Sequence, residues 1–153
     1  MATQPFPDVY VKAVAITRSG SILTVFNERW GSFTLPMSKT RTWADAENPK
    51  VTIKEDAEVT AIRATVEALG HPLAKHQIPK RHAVHTLDPF NQSGRDGEWK
   101  CYHIEVFHLE LDPSDIPRPI GGAPLAWMTL EQMEALEPVS DTALYIARAI
   151  RGA

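Results

Sequence analysis

A single cysteine in 153 residues rules out an internal disulfide, so no covalent staple holds this chain together. No apolar run approaches the roughly 20 residues that a membrane-spanning helix needs. The opening residues, MATQPFPDVY, contain neither a basic nor an apolar segment of the kind that directs secretion. These absences set the expectation of a cytoplasmic protein. Charge of one sign is also scarce: Lys and Arg total 16 against 19 for Asp and Glu, and no block of like charge reaches five residues. A dedicated nucleic-acid surface or an anionic-membrane surface would show a basic patch, so neither is expected. Neither G-x-S-x-G nor G-x-x-x-x-G-K-[ST] occurs, which removes nucleophilic-hydrolase and P-loop chemistry. There is no internal repeat and no low-complexity linker.

What is present is an ordinary globular composition, 43% hydrophobic and 23% charged, in a length that suits one domain over residues 1–153. Residues 9–17, VYVKAVAIT, and 21–27, SILTVFN, are rich in β-branched side chains and flank Arg18-Ser19-Gly20, the pattern of a hairpin. Phe33 to Leu35 reads as a short third strand stopped at Pro36, whose missing amide cannot join a ladder. Residues 37–54 show no clear period and read as a long loop with a short strand at Val51 to Ile53. A helix follows from Glu55 to Leu69, with Val59, Ile62, Val66 and Leu69 as its apolar stripe and Gly70 as its stop.

Further on, a strand is expected at Arg81 to Thr86. The turn-rich NQSGRDGEW comes next, then a long strand at Lys100 to Leu111. Pro113, Pro117 and Pro119 mark a connection, and Pro124 to Met128 a closing strand. Thr129-Leu-Glu-Gln has the form of a capping box, and Ser140-Asp141 caps a final helix over 142–151. The class is α+β, a mixed sheet with helices packed on it.

Glu55, seven intervening residues, Arg63, Glu67 and Gly70 stand at the spacing of a known box, G-x5-E-x7-R-E-U-x-E-E-x-G-U, where U is aliphatic. Upstream, WGSFTLP is similar to the strand and proline that lead into that box, and downstream APLAWMTLEQMEAL is similar to the closing strand and helix. From about Val9 to Ile150 the chain therefore resembles the Nudix superfamily. The resemblance implies an α/β/α sandwich around a central mixed sheet, and hydrolysis of nucleoside diphosphates linked to another moiety by a metal-activated water. It implies magnesium or manganese as cofactor, with Glu67 as a ligand and Arg63, oriented by Glu55, supporting the helix.

The departures fall on the metal ligands. Ala64 and Ala68 stand where the family carries glutamates, Pro49 replaces the opening glycine, and Thr65 and His71 occupy the aliphatic positions. At 100° per residue, Ala64, Glu67 and Ala68 project from one side of the helix, which then offers one carboxylate and two methyls. Magnesium takes several hard oxygens, so its binding should be weak and hydrolysis weak or absent. A second metal ligand would have to come from elsewhere: Glu105 or Glu110 on the long strand, or Asp45 or Glu47 in the loop. Glu105 and Glu110 are five apart and face opposite sides of a regular strand.

The alternative is a non-catalytic module that binds a nucleotide-like small molecule or a protein partner, and a homodimer is compatible with either reading. Trp30, Trp43, Phe90 and Trp99 lie in or beside predicted loops, where an aromatic ring can stack on a base or serve as a core or rim residue. His82 with His85, and Cys101 with His103, are half of a zinc site at most, since a structural site needs four N or S ligands.

Overall fold

A computed structural model describes residues 8–29, 31–81, 90–92, 99–135, 139 and 141–151; for 90–92, 99–102, 141, 142 and 151 it describes the backbone alone. β1 (Asp8–Arg18) and β2 (Ser21–Asn27) form the expected hairpin. Its two-residue turn places both Ser19 (φ 49°) and Gly20 (φ 80°) in the left-handed region, the conformation that matches the twist of paired strands. β3 (Ser32–Thr34) pairs with β2, and β4 (Met37–Lys39) with β1. β5 (Thr42–Ala44) and β6 (Thr52–Lys54) make a separate two-stranded hairpin ahead of α1 (Ala57–Leu69).

Residues 37–54 are thus not the long loop the sequence suggested. Three strands of three residues each are too short to display a period of two, although the expected strand at 51–53 is displaced by only one residue. β7 (Lys80–Arg81) overlaps the start of the strand expected at 81–86, whose remainder lies outside the described residues. β8 (Phe90–Gln92), β9 (Trp99–Glu110) and β10 (Leu125–Met128) complete the sheet, and α2 (Leu130–Ala135) and α3 (Asp141–Arg151) follow.

The main sheet runs β10-β2-β1-β9-β7, with β1 and β9 parallel over ten residue pairs and the other pairings antiparallel. Alternation along β1 divides the core in two. Ala13 and Ala15 join Met133, Ile146 and Ala147 beneath α2 and α3, whereas Val14 and Ile16 join Phe107, Leu109 and Leu69 beneath α1. The larger of these buried side chains, the Val, Ile, Leu, Phe and Met, each contribute about 1.5–3 kcal/mol, so both layers are held by the sheet they share. The result is the α/β/α sandwich with a central mixed sheet.

The helix face that meets the sheet differs from the expected stripe. Thr60, Ala61, Ala64, Thr65, Ala68 and Leu69 are buried, whereas Val59 is 49% exposed and Ile62 and Val66 are only half-buried. Small side chains let α1 lie close against β1 and β4. Its buried threonines stay satisfied, because Thr65 donates to the Ala61 carbonyl at 2.8 Å and Thr60 to the Glu55 carboxylate at 2.7 Å. The expected capping box forms reciprocally: the Gln132 amide donates to Thr129 Oγ1 at 3.2 Å, and the Thr129 amide to Gln132 Oε1 at 2.8 Å.

Candidate functional site

Ala64, Glu67 and Ala68 line one cavity of about 280 Å³. β2 supplies Val25, Phe26 and Asn27, the turn from β3 into β4 supplies Thr34 to Met37, and a third wall consists of Pro119, Ile120 and Ala123. Most of this lining is apolar. Glu67 is its one charged group among the described residues, and no described side chain or amide pairs with the Glu67 carboxylate. The shared face expected for these three helix residues is therefore the cavity face, even though Ala64 and Ala68 also reach the core.

The third wall is fastened to the end of α1. The Arg118 amide donates to the Leu69 carbonyl at 2.9 Å, and the Ile120 amide to the Glu67 carbonyl at 2.8 Å. These bonds use carbonyls that a helix C-terminus leaves without partners. Gly70 makes the approach possible: it is left-handed (φ 77°), and a Cβ there would sit 1.9 Å from the Arg118 carbonyl oxygen.

Below the wall, His71 is held between two acceptors, with Nδ1 2.8 Å from the Pro72 carbonyl and Nε2 2.8 Å from the Asp115 carboxylate. Only the doubly protonated ring donates to both. The Pro72 carbonyl first and the Asp115 carboxylate second raise the His71 pKa above its usual 6.5, against a smaller effect of burial. Gln77 and Arg18 complete the anchor by donating to the Asp115 side chain and carbonyl.

At the other end of α1, Arg63 donates to the Glu55 carboxylate at 2.6 Å and to the Lys39 carbonyl at 2.9 Å. Desolvation pushes the Glu55 carboxyl up. Hydrogen bonds from Arg63, Thr60 and the Arg41 amide, with the Arg63 charge, outweigh it and hold the pKa below the usual 4.5. This pair ties the helix start to β4 and the β5–β6 hairpin. Neither residue lines the cavity.

The donor set does not fit a divalent cation. Glu105, expected as a second ligand, lies on the α1 side of the sheet but is held by Lys12 and Arg81, each at 3.2 Å, and is not among the lining residues. Among the described residues no three of His, Cys, Asp and Glu gather as a metal site. Magnesium needs several oxygens around it, and the described lining presents one carboxylate. Asp45 accepts from the Glu47 amide within its own hairpin, and His103 bonds to Asp8 at 2.8 Å.

Of the four candidate aromatics, Trp43 is 50% exposed on β5 and outside the cavity lining. Trp30 lies outside the described residues, as do the side chains of Phe90 and Trp99 and the residues His82 and His85. Phe26, Asn27, Thr34, Met37 and Ile120 also line the cavity and carry no motif that marks them in the sequence. The proline-rich stretch from Pro113 to Pro124 was the available signal, since it closes a wall that no helix or strand period announces.

No family model and no curated protein matches the chain by sequence. Solved structures do match. The chain is similar to a MutT protein from Methanosarcina mazei, with 12% identity and a TM-score of 0.66 over 99% of this chain and 100% of that one. A C. elegans Ap4A hydrolase in a binary complex matches with 18% identity and a TM-score of 0.62, over 94% and 96% of the two chains. For a MutT Nudix hydrolase from Burkholderia pseudomallei the values are 19% and 0.60, over 92% and 95%. At these identities the likeness concerns the backbone. The chain has the fold of the Nudix hydrolases.

Proposed function

We propose that this chain is a Nudix-fold binding domain: its cavity seats a small nucleotide-like molecule, and metal-dependent hydrolysis of a diphosphate is weak or absent. The observation that carries this reading is the composition of the cavity face of α1, where Ala64 and Ala68 flank a lone Glu67. Attack of water on a diphosphate needs the negative charge neutralised and the water activated, tasks that a divalent ion performs when several carboxylates hold it. One carboxylate without partners supplies neither. Arg63 and Glu55 act in this proposal as supports that fix the start of α1. Ap4A hydrolase, one of the solved neighbours, carries a dinucleotide substrate in its name, which supports a nucleotide-like ligand here.

Release of phosphate and diphosphate from a panel of nucleoside diphosphate derivatives tests the proposal, with magnesium and with manganese, for the natural protein and Glu67→Gln. The expected result is no metal-dependent turnover in either. Turnover that disappears in Glu67→Gln would establish instead a hydrolase organised by one box glutamate.

A further inference from the structure

Charge in the cavity is the reverse of what a phosphate site requires. Sites that hold phosphate groups place Lys, Arg, a metal ion or a set of backbone amides around them. Among the described lining residues there is no Lys, Arg or His, and the single ionised group is the carboxylate of Glu67. Around it stand Phe26, Met37 and Ile120, with Asn27 and Thr34 as the polar lining. Of the described cations on neighbouring elements, Arg63 is bonded to Glu55 and the Lys39 carbonyl and Lys12 to Glu105, while Arg29, Lys39 and Arg118 lie within two residues of the lining but outside it. An anion entering this space would meet a like charge, with no cation among the described lining residues to offset it. A protonated amine would meet an acceptor with free lone pairs.

We infer that the cavity accepts a cationic, amine-bearing end of its ligand, and that Glu67 selects for that charge. This inference rests on the reading of the cavity as a ligand site, and it names the part of the ligand that enters. A phosphate-bearing portion, where the ligand has one, stays outside. The size agrees, because about 280 Å³ admits a bicyclic aromatic ring with a short side chain. The exposure of Glu67 sets the scale. A solvent-facing pair is worth a few-fold in affinity, and the change from attraction to repulsion roughly doubles that effect on the logarithmic scale.

The test uses three probes that share one ring and differ in charge: tryptamine, indole-3-ethanol and indole-3-acetate. Each is titrated into the full chain and followed by amide NMR shifts, with the amides of Asn27 and Ile120 as cavity reporters. Tryptamine should bind about five- to tenfold more tightly than indole-3-acetate, with the alcohol between them. Glu67→Gln should bring the three within about twofold of one another, and Glu67→Lys should reverse the order. Because the Glu67 side chain has no described partner, both variants should keep the fold, which the unchanged amide spectrum away from the cavity checks. Equal or tighter binding of the anion to the natural protein, with shifts at the cavity reporters, would overturn the charge inference while leaving the cavity as a ligand site. Binding of none of the three, or shifts confined to other surfaces, would overturn the ligand-site reading and this inference with it.

Discussion

Arg63 reaches back eight positions to Glu55 at 2.6 Å and leaves Glu67, four positions ahead of it, without an ion partner. An exposed pair one turn apart is the ordinary arrangement on a helix, and it would have neutralised the only charge among the described lining residues. Instead the arginine locks the helix start, and the carboxylate that remains faces the cavity alone.

Arg63→Ala should therefore act on stability. Removing a charged hydrogen-bond partner from a largely buried carboxylate should cost about 1 to 3 kcal/mol in urea denaturation. The acid limb should change as well. Glu55 has a folded pKa below 4.5, so its contribution is present above 4.5 and is lost as pH falls through the folded value. In Arg63→Ala that loss should be smaller, and unfolding midpoints measured from pH 6 down to about pH 3 check it.

His71 works in the opposite direction. Its folded pKa lies above 6.5, so the stability it adds is complete below 6.5 and is lost as pH rises through the folded value. Urea midpoints should fall over that range. Asp115→Asn should flatten the fall, because the neutral amide no longer favours the protonated ring.

Gly70→Ala should be among the most damaging small substitutions in α1. The added Cβ falls 1.9 Å from the Arg118 carbonyl, at a residue whose φ of 77° already disfavours a side chain. A loss of about 2 to 4 kcal/mol is expected. Faster hydrogen exchange at the Ile120 amide should accompany it, since that amide closes the cavity wall.

The fold was more legible in the sequence than the site. Long strands of β-branched residues, the Ser19-Gly20 turn and the Thr129–Gln132 box carry local signals that tertiary packing then used. The face of α1 was misread because alanine and threonine weigh little in a hydrophobic pattern, yet they are what a helix packed close to a sheet requires. Val59, the most apolar choice near the helix start, is half in water. The projection of Glu67 with Ala64 and Ala68 was legible, because it follows from helix geometry alone. What fills the rest of the cavity was not, since β2, the turn into β4 and the Pro119–Ala123 wall come together only through long-range packing.

Adding carboxylates at positions 64 and 68 should create a metal response. In an Ala64→Glu, Ala68→Glu double variant, three like charges crowd the cavity, so Tm in a chelator should lie below that of the natural protein. Added manganese should raise Tm with the logarithm of its concentration, as expected for a ligand that binds the folded state alone. The natural protein should show no such rise.

Manganese binding to the natural protein is the most direct measurement, followed by electron paramagnetic resonance with Glu67→Gln in parallel. The same weak signal loss in both proteins is expected, from scattered surface carboxylates. Loss of free manganese that requires Glu67 at micromolar metal would contradict a cavity with a single, metal-free carboxylate.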